Sequence, residues 1–383
     1  MTAWRDVARP LRRAALVLLL TSASAPAQER HPLPVPDLPG LKTLKGDFHL
    51  HTVFSDGQVW PTVHVQEAWR DGLDVVALTD HLEYRPHSAD VSLDLRRPYA
   101  VARELAEQLG IILIPGAEIT WPIPGTTSPL PVGSAHFNAL FVEDPAALAK
   151  PNLLDALRAA HAQGAFVFWN HPGFMGTLEP RWHAHVEEAW REGLFQGVEL
   201  VNGEDFYPAV YPWIEEKKLT ILSNSDYHVP TPPRGTGPRR PVTLVFARSA
   251  DAEGVREALV ARRTAAWLGD DVWGSEEHLR GLWNGAIDVA PARLEARPGQ
   301  AVLLRLGNRS AIPFRLRALR SPAWLQVEPA TAQAEATSLL RLRVGRDAPA
   351  GAHDAVVELE ISNLSTGPGR KLVVGLPVPL TVR

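Results

Sequence analysis

The chain has 383 residues, a net charge of −4 and no cysteine. Its length exceeds one typical domain and points to two, and without cysteine any metal must rest on His, Asp and Glu. No acidic or basic block is present, which excludes a nucleic-acid surface built on bulk charge.

At the N-terminus, Arg5, Arg9, Arg12 and Arg13 precede an apolar run from Ala14 to Leu20, followed by Thr-Ser-Ala-Ser-Ala-Pro-Ala-Gln. A charged start, a short apolar run and an A-x-A site predict a secretory signal peptide at residues 1–27, cut after Ala27. The Arg12-Arg13 pair hints at a twin-arginine route but lacks the full flanking pattern. The run is too short to span a bilayer and no other segment is apolar enough, so a periplasmic or secreted protein without stable membrane insertion is expected. Residues 28–45 carry Pro32, Pro34, Pro36 and Pro39 and read as an extended, Pro-rich linker.

From Leu44 onward, strands alternate with helices. Leu44 to His51 predicts a strand, and the alternation in Phe48-His49-Leu50-His51 sends both imidazoles to one face. The helix Val63 to Asp71 leads into an apolar strand, Leu73 to Thr79. A helix from Arg96 to Leu109 stops at Gly110, a C-cap signal. Strands follow at Ile111 to Gly116 and Ala135 to Val142. The helix Leu153 to Gln163 closes at Gly164, before strands Ala165 to Trp169 and Gly197 to Val201. Helix Pro208 to Lys218, strand Leu219 to Leu222, strand Val242 to Phe246, helix Ala252 to Arg263 and strand Thr264 to Leu268 complete residues 46–285. Near-continuous apolar strands between helices predict a parallel sheet covered on both faces, and the number of units favours a closed or nearly closed barrel. In residues 286–383 the helical period stops. Leu340 to Val344 and Val357 to Ile361 alternate with period two, which predicts a small all-β sandwich that folds separately and carries no catalysis.

The chemistry-bearing residues fall at the ends of the predicted strands, where parallel α/β barrels place their active sites. They are His49, His51 and Asp56 after the first, Asp80-His81 after the second, Glu118 after the third, then His136, His171 and finally Asp226-Tyr227-His228. His and carboxylate ligands in this number predict a metal centre, and the mix suits Mn, Fe or Zn without choosing among them. Asp80 is positioned either to orient an imidazole or to cap the turn. Arg85, four residues after His81, is a candidate to fork onto a substrate phosphate. His64, His161, His183, His185 and His278 read as ordinary helix-face residues. Asn170, Asn202 and Asn224 end strands, and Trp121 to Pro131 reads as a rim loop.

This ordered set resembles the PHP (polymerase and histidinol phosphatase) family, whose pattern it fills at His49-x-His51, Asp56, His81, Glu118, His136, His171 and Asp226-x-His228. The resemblance covers about Gly46 to Leu268. It implies a distorted (βα)7 barrel with three divalent metal ions at its C-terminal rim. On this resemblance His49, His51, Glu118 and Asp226 share one ion. Glu118 also bridges to a second, held with His136 and His171, and Asp56, His81 and His228 hold the third. The whole chain also looks like secreted PHP phosphodiesterases. The leading expectation is a secreted metal-dependent phosphodiesterase acting on a small phosphate ester through a metal-bridging hydroxide. The alternatives are a phosphomonoesterase of the histidinol-phosphatase type and a non-enzymatic metal-retaining module. A role on DNA is not expected.

Overall fold

β1 (Lys42–Asp47) leads into α1 (Pro61–Arg70), then β2 (Val75–Leu78), α2 (Arg97–Leu109), β3 (Ile112–Trp121) and β4 (Ala135–Leu140) in this computed structural model. Next come α3 (Leu153–Ala162), β5 (Phe166–Trp169), α4 (Ala184–Arg191), β6 (Gly197–Asn202) and β7 (Asp205–Phe206). α5 (Tyr211–Lys217), β8 (Thr220–Asn224), β9 (Val242–Ala247), α6 (Ala252–Val260), β10 (Thr264–Leu268), β11 (Asp271–Gly274) and α7 (Glu276–Ala286) follow. The described residues are 29–122, 135–173, 180–232, 236–237 and 239–383. The predicted signal peptide and most of the predicted rim loop after Trp121 lie outside them.

The local signals act as expected. Gly110 takes a left-handed φ of 68° after α2, Asn152 caps α3 by accepting from Asp155 N, and Ser275 caps α7 by accepting from His278 N. All four residues of β2 and all four of β5 are buried, as a sheet covered on both faces requires.

The sheet is mixed rather than parallel. β1–β2, β2–β3, β5–β6 and β6–β8 pair in parallel, whereas β3–β4, β4–β5, β1–β9 and β9–β10 are antiparallel. β4 pairs antiparallel with both β3 and β5, so it runs against its neighbours. The sequence predicts a closed or nearly closed barrel. Among the described residues the strand order runs β11-β10-β9-β1-β2-β3-β4-β5-β6, with β8 beyond β6, and no ladder joins β8 to β9 or β10. Hydroxyl side chains span that gap: Thr264 Oγ1 donates to Ile221 O, Thr243 Oγ1 to Ser223 O, and Ser223 Oγ to Trp267 O.

Residues 287–383 contribute strands only: β12 (Ile287–Ala290), β13 (Leu294–Ala296), β14 (Ala301–Asn308), β15 (Phe314–Arg320), β16 (Leu325–Val327), β17 (Ala330–Ala332), β18 (Ala336–Val344), β19 (Gly351–Gly367) and β20 (Arg370–Val382). β12, β14, β18 and β16 form one sheet, while β19 pairs with β11 and continues the main sheet. A single apolar cluster runs from Leu38 through Leu279, Leu282 and Trp283 to Phe314 and Leu364, so the seam between the two parts is packed core. The Pro-rich stretch expected to be an extended tether instead lies along that seam. Leu38 is buried, Pro34 O accepts from Ala311 N, and His31 N donates to Arg70 O. No helix among the described residues is long and apolar enough to cross a membrane.

Candidate metal centre

β1 ends at Asp47, so His49 and His51 lie just past the strand and not within it as the sequence suggested. Backbone bonds keep them extended: Asp226 N donates to His49 O and His51 N to Tyr227 O. The alternation therefore survives, and both imidazoles, fully buried, face the same way. Gly57 closes the turn that returns Asp56. A Cβ there would lie 2.4 Å from His51 O, so only glycine fits. Glu118 sits on β3 and His136 on β4, with Thr120 opposite His136 in the ladder. His171 and Asp226, at the ends of β5 and β8, have positive φ angles of 25° and 54°.

All nine predicted ligands converge. His51 Nε2 lies 3.1 Å from His49 Nε2, from Glu118 Oε2 and from Asp226 Oδ1. His49 Nε2 is 3.5 Å from Glu118 Oε2 and 3.2 Å from Asp226 Oδ1. Four donors around one ion at about 2.0–2.2 Å lie roughly 3.3–3.6 Å apart, so this cage matches a tetrahedral site slightly contracted. Glu118 divides its oxygens. Oε2 also reaches His81 Nδ1 at 2.9 Å, while Oε1 is 3.0 Å from His136 Nδ1 and 3.6 Å from His171 Nε2. Asp56 Oδ1 stands 3.3 Å from His228 Nε2, 3.6 Å from His81 Nε2 and 3.6 Å from His51 Nδ1. Three groups of donor atoms thus form: His51, Asp56, His81 and His228; His49, Glu118 and His171; His49, His51 and Asp226. The grouping places His51 beside Asp56, His81 and His228, a neighbour the sequence reading did not assign there.

Three carboxylate oxygens in this cluster, Asp56 Oδ1, Glu118 Oε2 and Asp226 Oδ1, are buried without a hydrogen-bond donor. A buried anionic oxygen needs a cation or a donor. Each of the three faces imidazole nitrogens across a gap of ion size, so the residues fit bound divalent ions.

The electrostatics agree. Burial would lower the pKa of His51, but the carboxylates of Asp226 and Glu118 beside it overturn this and push it up to about 10. His49 is likewise raised, against its burial, by Asp226, Glu199 and Glu118. Burial would raise Asp56, yet His228, His51 and His81 hold it down at about 2. Glu118 and Asp226 stay well below the usual carboxylate range because imidazoles surround them. In the metal-free protein, protons on His49 and His51 supply positive charge beside the carboxylates.

Several residues the sequence reading missed hold this cage. Glu199, fully buried on β6, accepts from His49 Nδ1 at 2.9 Å, His171 N at 2.7 Å, Asn224 Nδ2 and Asn202 Nδ2. Its signal was a lone carboxylate inside the apolar strand Gly197-Val198-Glu199-Leu200-Val201. Asp47 accepts from Ser225 N and Oγ and from Arg240 Nε, tying the Asp226 turn to the end of β1. His64, expected on an ordinary helix face, is fully buried with Nε2 2.8 Å from His51 O. Asn170 donates to Glu118 Oε1. Asp80 resolves to a cap: it accepts from Thr52 N, Thr52 Oγ1 and Ser55 Oγ, so it braces the turn after His51 and reaches that imidazole only through Ser55.

Arg85 requires a correction. Its Nε donates to Phe54 O, Nη1 to Leu93 O and Nη2 to Ser92 O. Three of its N–H groups are held by carbonyl oxygens, Ser92 and Leu93 in its own loop and Phe54 in the loop after β1, so it ties these two loops together rather than reaching toward a substrate phosphate.

A mixed α/β sheet whose strand ends gather six imidazoles and three carboxylates defines a metal-binding protein. No family model and no curated protein matches the chain. Among solved structures, a two-domain protein from Bacteroides vulgatus containing a predicted PHP-like metal-dependent phosphoesterase is 36% identical, with a TM-score of 0.81, covering 92% of this chain and 100% of that one. A candidate metal-dependent phosphoesterase from Bifidobacterium adolescentis matches at 19% identity and TM-score 0.38 over 57% of this chain and 96% of that one. An amidohydrolase from Chromobacterium violaceum matches at 17% identity and TM-score 0.35 over 48% of this chain and 88% of that one. The chain belongs to the PHP-like metal-dependent phosphoesterases.

Proposed function

We propose that the protein is an exported phosphodiesterase with three divalent ions, of Mn, Fe or Zn. The observation that carries this reading is the convergence of nine ligands with three buried carboxylate oxygens left open to cations. His49, His51, Glu118 and Asp226 hold the first ion, Glu118, His136 and His171 the second, and Asp56, His81 and His228 the third. Such ions, when bound, acidify water to a hydroxide near neutral pH and neutralise the ester's charge. The chain's part is positioning. Glu118 offers one oxygen to each side and so sets the spacing between the first two positions. Glu199 and the strand-end asparagines fix the ligands before substrate arrives, so little reorganisation is left to the reaction. Export rests on the charged and apolar N-terminal pattern of residues 1–27.

The test pairs bis(p-nitrophenyl) phosphate with p-nitrophenyl phosphate, each with and without chelator. Diester hydrolysis at least tenfold faster than monoester hydrolysis, abolished by chelator and restored by metal, is expected. A reversed preference would establish the phosphomonoesterase reading. Bound metal with no turnover of either ester would leave a metal-retaining module.

A further inference from the structure

The side chains of His49, His51 and Glu118 are 0% exposed, His171 4% and His81 8%, whereas His136 is 12%, Asp226 15%, Asp56 21% and His228 34% exposed. The two most open ligands, Asp56 and His228, belong to one ion position.

Exposed large hydrophobic residues follow the ligands of that position closely in the chain. Before residue 286 the exposed large hydrophobic residues are Trp60, Tyr84, Leu93, Val229 and Val260 among the described residues. Trp60 follows Asp56 by four residues, Tyr84 follows His81 by three, and Val229 follows His228 directly. Three of the five therefore follow, within four residues of the chain, the three ligands of one ion position. The loops that carry them are tied together: Arg85 Nε donates to Phe54 O, and Gln58 N donates to His228 O at 2.6 Å. Trp60 packs on Phe54 with ring centroids 5.4 Å apart, and Tyr84 stands edge-on to His81 at 6.2 Å. These rings are held in place while part of each meets water, an arrangement that offers a pre-ordered apolar contact beside the reacting centre.

Resting on the phosphoesterase reading above, we infer that the side of the site at Asp56, His81 and His228 receives a planar aromatic arm of the substrate, contacted by Trp60, Tyr84 and Val229. The ions draw the phosphate whatever alcohol it carries, so the aromatic rim is what separates one ester from another. A phosphate ester with only a small alkyl arm gains nothing from the rim.

The experiment uses the full chain with its metal and two diesters that differ in one arm, phenyl methyl phosphate and dimethyl phosphate, with turnover followed by phosphorus NMR. Trp60→Ala and Tyr84→Ala should each raise KM for the phenyl ester about three- to tenfold, with kcat within about twofold and the dimethyl ester unchanged. Trp60→Phe, which keeps a ring, should recover most of the loss. Binding of phenyl phosphate and methyl phosphate to the same holoprotein is measured by calorimetry, which needs no turnover, with metal content checked by elemental analysis. If neither ester is hydrolysed but phenyl phosphate binds more tightly and Trp60→Ala removes the difference, the phosphodiesterase reading falls and the aromatic site stands. Equal binding of the two phosphates, equal losses on both esters, or equal losses in Trp60→Ala and Trp60→Phe would overturn the inference.

Discussion

Oε1 of Glu199 lies 2.9 Å from Nδ1 of His49, and both side chains are fully buried. The contact places the Nδ1 proton toward the carboxylate and leaves Nε2 to face the cage. Glu199→Gln keeps the shape but sets an amide N–H against donors it cannot accept from. Metal affinity should fall about 10- to 100-fold, measured by titration against a competing chelator. Unchanged affinity would reduce Glu199 to a space-filling role.

Glu118→Ala should lose the ions of two positions, because one oxygen faces His49, His51 and His81 and the other faces His136 and His171. Elemental analysis checks this directly. Full metal content in the variant would end the bridging assignment.

Metal uptake should expel protons. In the metal-free protein His51 keeps its proton up to about pH 10, and an ion must displace it. The sign follows: lowering the pH favours the proton over the ion, so affinity falls as pH falls. Calorimetry in two buffers of different ionisation enthalpy should show net proton release near neutral pH. No buffer dependence would contradict the protonated cage.

The Arg240 side chain is 6% exposed and pairs with the fully buried Asp47 at 2.8 Å. Arg240→Ala would strand that carboxylate without its partner, costing about 3–5 kcal/mol of unfolding free energy in chemical denaturation. Asp47→Asn combined with Arg240→Met removes both charges and should recover part of the loss. A single variant as stable as the parent would show that Ser225 alone satisfies Asp47.

A chain shortened to end at Ala286 should aggregate or melt far below the full protein. β11 would lose its partner β19, Tyr211 its hydrogen bond to Ser365 O, and the cluster around Leu282 and Trp283 its cover. A soluble, cooperatively folding shortened chain would restore the expectation of an independent tail.

Residue type and spacing picked out the side chains that converge at the strand ends. His49, His51, Asp56, His81, Glu118, His136, His171, Asp226 and His228 could be picked out because each follows or lies on an apolar run, and strand periodicity is a local property of the chain. The strand-only character of the tail was legible for the same reason. The direction of β4 was not, since an antiparallel excursion and a parallel crossover both read as apolar strands. Nor was the fate of Arg85, because whether a guanidinium meets phosphate or the carbonyl groups of Phe54, Ser92 and Leu93 depends on where its loop returns. Glu199, Asp47 and His64 act across separations of 150, 193 and 13 residues. Local pattern identifies groups able to bind; only the packed chain decides which distant atoms arrive within 3 Å of them.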